Sequence, residues 1–318
     1  MNIIKLISTL SLYALLASLF GCSSVVQMHN NSADKTVPVW QQSAIKDELK
    51  VNFLWAKPIA KGPLATIIVH PGMLQNVEDM RGVLIDLAEQ GFMSVAVDYQ
   101  RLIAGKWQVS TMPIRARDEI DFIMSQVVEN PWVDANNIGL LGFSLGGAHS
   151  LNIAKVNPDI KTVVVYYPMT DFVGWAKSAE NELLLSLVVK QVKSAYLKES
   201  DSHSHASHLE LVSNYSAVNF ADEIRPPVLV IHGDEDDIAP IEFSKRFVSL
   251  LQSSGNDQSQ LMVINQGAHG FNFKRSKQSI KSWLTSLDWM QKHLATEPKS
   301  YVVASNVAAS NALASNNY

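Results

Sequence analysis

A chain of 318 residues, 47% hydrophobic and 18% charged, is long enough to bury a sizeable core in one large domain or two small ones. Its formal net charge of −4 provides no basic face or stripe of the kind that nucleic acid demands, so partners of that class are excluded as an expectation. No internal repeat is visible, and apolar runs alternate with helical patterns, which favours an α/β fold.

The chain opens with Met1-Asn2-Ile3-Ile4-Lys5, then an apolar run over 6–20 that is too short for a comfortable membrane span and ends at Leu19-Phe20-Gly21-Cys22. This run resembles the lipobox of bacterial lipoproteins, and a plain secretory signal is the alternative. The resemblance implies a signal peptide over 1–22, a lipid on the sulfur of Cys22, and a mature chain held in the cell envelope by a membrane anchor. Ser23 matches the outer-membrane sorting pattern. Cys22 is the sole cysteine, so an intramolecular disulfide is excluded. Polar residues over 23–43 are expected to form a flexible tether, and the low-complexity stretch 297–318 a disordered tail.

The segment between them, 44–296, is expected to be one folded domain. Residues 49–55 alternate as an early strand, and 65–70 form a continuous β-branched run of the sort buried on both faces of a parallel sheet. That run ends in His70-Pro71-Gly72-Met73, where the histidine is read as structural and the turn as a donor of backbone N–H. A helix is expected over 78–90 and a strand over 93–97. Arg101 beyond that strand is assigned to an ion pair with Asp98, or to an anionic substrate. The pattern over 112–128 is helical, with Ile120, Ile123 and Val127 facing the core.

Next comes Gly142-Phe143-Ser144-Leu145-Gly146, the G-x-S-x-G form of a nucleophile elbow at the end of an apolar run. Gly142 and Gly146 omit the Cβ atoms that would clash where such a turn tightens, and Ser144 is presented at its tip. A glycine-rich helix start is the bland reading. The N–H of Leu145 would point at an oxyanion formed on a carbonyl attacked by Ser144. The His70-Pro71-Gly72-Met73 turn resembles the one that supplies the second donor in α/β-hydrolases, which implies the N–H of Met73 for that role, an ordinary Pro-Gly turn being the alternative.

A strand over 162–167 precedes an interruption in the alternation. Residues 172–220 are read as a cap-like insertion, with a strongly apolar helix over 183–197 that either lines an acyl pocket or packs on the domain. His203, His205 and His208 within it have the look of shared imidazole ligands, but the further ligands a metal needs are not visible, and a solvated loop is preferred. No metal or cofactor is expected. The sheet resumes over 228–233, and 234–240 carries Asp234, Glu235, Asp236 and Asp237. A helix over 241–251, a last strand over 260–264, Ala268-His269-Gly270-Phe271 and a closing helix over 279–294 complete the domain.

Serine, then an acid after a late strand, then a histidine after the last strand is the order of the α/β-hydrolases. The segments His232 to Pro240 and Ala268 to Phe271 resemble the dienelactone hydrolase-like branch, where the acid follows H-G-x-x-D-x-x-x-P and the base lies in H-G-F. They are also similar to the catalytic domain of prolyl-oligopeptidase-type peptidases. The resemblance implies a mostly parallel sheet flanked by helices, with Ser144 as nucleophile, Asp236 as acid and His269 as base. Asp171 is the outside candidate for the acid, and His149 and His232 are read as poorly placed for a base. The expected activity is cleavage of a small carboxylic ester through an acyl-enzyme. The alternatives are a serine peptidase of the prolyl-oligopeptidase type without a propeller, and a non-catalytic envelope lipoprotein on a hydrolase scaffold.

Overall fold

Runs of β-branched and apolar residues without polar interruption form stable strands only where both faces are covered, and that is where this chain puts them. The computed structural model describes residues 37–73, 75–103, 105–109, 117–178 and 213–294. Among these, nine strands form a single sheet: β1 (Val39–Lys46), β2 (Leu49–Ala56), β3 (Leu64–His70), β4 (Met93–Ile103), β5 (Lys106–Val109), β6 (Val133–Phe143), β7 (Ile160–Tyr166), β8 (Val228–Gly233) and β9 (Gln260–Ile264). The order is β1-β2-β4-β3-β6-β7-β8-β9, with β5 on β4. The pairs β1/β2, β2/β4 and β4/β5 are antiparallel, and every pair from β4/β3 to β8/β9 is parallel.

Helices cover both faces. α1 (Arg81–Glu89) and α6 (Lys277–His293) pack on one side, where Leu84, Leu87, Leu287 and Met290 meet Ile67, Val69, Val164 and Ile231. On the other side α2 (Arg117–Val128), α3 (Leu145–Val156) and α5 (Ile241–Ser253) bring Ile123, Val127, Leu151, Phe247 and Leu251 onto Ile68, Val95, Val163 and Val230. Alternate residues of one strand thus enter different cores, which explains why the central strands read as unbroken apolar runs. Each side chain so buried contributes roughly 1.5–3 kcal/mol. Two polar pairs sit within this interior: Trp289 Nε1 donates to Thr162 Oγ1 at 2.7 Å, and Tyr166 Oη lies 2.7 Å from Ser286 Oγ. A short helix α4 (Phe172–Ser178) follows β7 at the carboxyl end of the sheet.

The fold corrects the sequence reading in three places. β1 begins at Val39, inside the stretch expected to be tether; it is an edge strand whose Trp40 stacks on Trp55 at 6.0 Å while its other face meets solvent. Arg101 does not pair with Asp98. Three residues apart on a strand, the two point to opposite faces, so Arg101 forms a bidentate pair with Glu119 on α2 at 2.8 and 2.9 Å. Asp98 instead accepts from Asn52 Nδ2 and from the N–H of Val77. The helix expected over 78–90 is split into a single 3₁₀ turn, Val77–Met80, and then α1. The expected helix at 183–197, the histidines at 203, 205 and 208, Cys22 and the stretch 297–318 lie outside the described residues. Among the described residues no helix is long and apolar enough to cross a membrane.

Candidate active site

Strand β6 leads without a loop into α3, and Ser144 is the junction. Its φ of 52° and ψ of −116° form a backbone conformation that side-chain-bearing residues rarely adopt. The surroundings enforce it: Ser144 N–H donates to Tyr166 O on β7, and its carbonyl accepts from Gly147 N–H. Close approach on either side requires the flanking glycines. A Cβ on Gly142 would lie 2.3 Å from Gly146 O, and one on Gly146 would lie 2.1 Å from His70 O. The hydroxyl does not cap the helix it precedes, so it is left to project toward the sheet's carboxyl edge.

There it meets His269, whose Nε2 is 3.0 Å from Ser144 Oγ and whose Nδ1 is 2.8 Å from Asp236 Oδ2. A carboxylate only accepts, so the Nδ1 proton is fixed toward Asp236 and the Nε2 lone pair toward the serine hydroxyl. Of the four acidic residues at 234–237 only Asp236 is buried. Its Oδ1 accepts from the N–H groups of Ile238 and Ala239 at 3.0 and 2.8 Å. Burial would raise this carboxyl, but hydrogen bonds from His232 and His269 outweigh it and hold the group well below the usual carboxylate range. The acid and base loops are also joined directly: Glu235 N–H donates to Gly267 O and Gln266 N–H to Asp234 Oδ1.

The other sequence candidates fall elsewhere. Asp171 is directed to Arg246 at 3.2 Å and to the N–H of Gly174. His149 is buried against Tyr99 and His70, and burial holds its imidazole well below the ordinary histidine pKa. His70 has Nδ1 2.9 Å from Ser150 Oγ, and burial lowers its pKa to about 3, consistent with a structural role. The 71–73 turn lies against the elbow: a Cβ on Gly72 would be 3.6 Å from Ser144 Cβ, and Gly72 N–H is held by Gln75 Oε1 at 2.9 Å. Met73 and Leu145 pack into one apolar cluster with Met169, Phe172, Trp175 and Phe243.

Two residues of the site escaped the sequence reading as contributors. Tyr167, at φ 37°, lays its ring 4.5 Å from the His269 imidazole and donates its hydroxyl to Asn272 Oδ1. Its signal was positional, since it directly follows the strand next to the elbow strand. His232 lies 3.2 Å from Asp236 Oδ2, and its signal was the spacing of four residues to the acid.

A serine raised on a strained strand-to-helix turn, bonded to a histidine that is bonded to a buried carboxylate on a mostly parallel sheet, is the arrangement of a serine-hydrolase site on the α/β-hydrolase fold. The sequence profile of the prolyl oligopeptidase family matches residues 87–297, more than half of the chain, and the chain belongs to that family. It is 26% identical over 143 residues to a Bradyrhizobium protein named as a probable 2-oxo-3-(5-oxofuran-2-ylidene)propanoate lactonase, covering 42% of this chain and 57% of the lactonase. Among solved structures it is similar to the acylaminoacyl peptidase of Pyrococcus horikoshii, with a TM-score of 0.64 and 16% identity over 84% of this chain and 43% of the peptidase. It is equally similar to a hyperthermophilic esterase of Pyrobaculum calidifontis, with a TM-score of 0.64 and 17% identity over 92% and 91% of the two chains. The chain therefore spans less than two thirds of the lactonase and of the peptidase.

Proposed function

We propose that the protein cleaves carboxylic esters through a covalent acyl-enzyme on Ser144. The observation that carries this is the hydrogen-bonded line Ser144–His269–Asp236, in which the imidazole tautomer is set to take the serine proton. In the reaction, Oγ attacks the ester carbonyl as its proton passes to His269 Nε2. Asp236 stabilises the resulting imidazolium without taking the proton itself. The tetrahedral oxyanion is received by the N–H groups of Leu145 and Met73, each such donor being worth roughly 3–4 kcal/mol. Collapse returns the proton to the leaving alcohol, and water repeats the sequence on the acyl-enzyme. The half-buried apolar residues beside the oxyanion donors, Val173, Tyr215 and Phe243, suit an uncharged acyl group.

Peptide hydrolysis is the second reading, favoured by the family match and by the likeness to an acylaminoacyl peptidase. Parallel assays of short-chain chromogenic esters and of aminoacyl and peptidyl amides separate the two. Ser144→Ala abolishes turnover, by about 10⁶-fold if the three residues act as a unit; retained activity, or failure of a fluorophosphonate to label Ser144 in the wild type, overturns the assignment. We also propose that Cys22 carries the lipid of an envelope lipoprotein. Metabolic labelling with a fatty-acid analogue marks the wild type and spares Cys22→Ser, and equal labelling of the two refutes it.

A further inference from the structure

Asp236 is held by two imidazoles. Besides His269 at 2.8 Å, its Oδ2 receives His232 Nε2 at 3.2 Å. His232 is inside β8 and fully buried, so it reaches neither substrate nor the Ser144 hydroxyl. Both of its nitrogens have fixed roles. Nε2 faces two acceptors and therefore carries the hydrogen: it donates to Ala239 O at 2.7 Å, and Asp236 Oδ2 lies alongside at 3.2 Å, sharing the same N–H. Nδ1 faces Ser244 Oγ on α5 at 2.8 Å, and the hydroxyl hydrogen fills its lone pair.

The ring thus spans the loop between β8 and α5, touching the acid in its middle, the carbonyl near its end and the helix after it. We propose that His232 is a positioning residue for the reaction, setting the orientation of the Asp236 carboxylate toward His269. The line of contacts becomes Ser244–His232–Asp236–His269–Ser144, and the inference rests on the serine-hydrolase reading of the site. The carboxylate of Asp236 has all its acceptor directions used: Oδ1 by two backbone N–H groups and Oδ2 by two imidazoles. Without the His232 donor, Oδ2 is free to swing about the Oδ1 anchor, and the imidazole it holds loses its aim at Ser144.

The test compares His232→Gln, whose amide nitrogen reaches the place of Nε2, with His232→Asn, whose amide falls short of Asp236. Loss of the shared N–H contact with a buried charge lowers kcat by about 10-fold in the Asn variant. KM stays within about threefold, because no group that binds substrate is altered. The Gln variant recovers most of kcat. The low-field proton of the His269–Asp236 bond, followed by NMR, is kept in the Gln variant and lost or shifted in the Asn variant. Equal kcat and equal low-field signals in the two variants, with matched melting midpoints, overturn the proposal. If the wild type turns over no ester, the reading of the reaction fails, and the NMR comparison alone then decides on His232.

Discussion

Gly146→Ala tests the packing on which the elbow depends. The added methyl would stand 2.1 Å from His70 O and 2.4 Å from Pro71 O, both backbone atoms that no side-chain rotation can move. Ordinary contact begins at 3.4 Å, so either the first turn of α3 or the turn after β3 must retreat by about 1.3 Å, enough to count as overpacking. Overpacking of this sort costs about 1–3 kcal/mol, which for a domain of this size lowers the melting midpoint by about 4–8 °C near the middle of the range. The function suffers more than the fold. The displaced turn carries Met73, and a misplacement near 1 Å in a catalytic constellation costs on the order of 10²-fold in rate. Initial rates on a short-chain ester, a thermal melt and fluorophosphonate labelling together separate the two effects: labelling slows, kcat/KM drops and the protein remains folded. A variant with wild-type kcat/KM and an unchanged midpoint would refute the claim that this contact positions the oxyanion turn.

Two further outcomes follow from buried groups. Burial, reinforced by the charge of Glu89, pushes the Asp86 carboxyl up to about 7, from 3.8. Between these values the unfolded chain releases a proton that the folded chain keeps, so this group makes stability fall as pH rises from about 4 to 7. Asp86→Asn therefore melts above the wild type at pH ~8 and level with it at pH ~4; no gain at the higher pH counts against the burial argument. Tyr167→Phe loses the bond to Asn272, which lowers stability by about 1 kcal/mol with rate little changed. Tyr167→Leu removes the ring beside His269 and lowers kcat by about tenfold; kinetics identical to wild type in the Leu variant dismiss the ring's role.

The central strands and the three residues that meet at their carboxyl ends were legible because each obeys a local rule. β3, β7 and β8 each hold a continuous buried apolar stretch, 67–69, 163–166 and 228–231, which only two-sided burial favours. Ser144 and Asp236 follow buried apolar stretches, and His269 follows the half-exposed edge strand β9, in the required order. β1 was not legible, because a strand with one neighbour and one wet face can carry Gln41, Gln42 and Ser43 without penalty. The partner of Arg101 was hidden for a different reason: proximity in sequence suggested Asp98, whereas the two-residue period of a strand directs the guanidinium to a helix that follows 16 residues later. His232 and Tyr167 show the limit most clearly. Each was visible as a residue at a strand end, but what it touches depends on the lateral stagger of β7 and β8, a quantity that no single segment encodes.

Tyr166 is registered with Ile231 and Gly142 with Val165, so the span from nucleophile to acid is set by backbone ladders and not by the chain that links β7 to β8. The acid and base loops are likewise bonded to each other. The alignment of the reacting groups therefore does not depend on the length of the link between the two strands: it is held sideways, from strand to strand, and not along the chain.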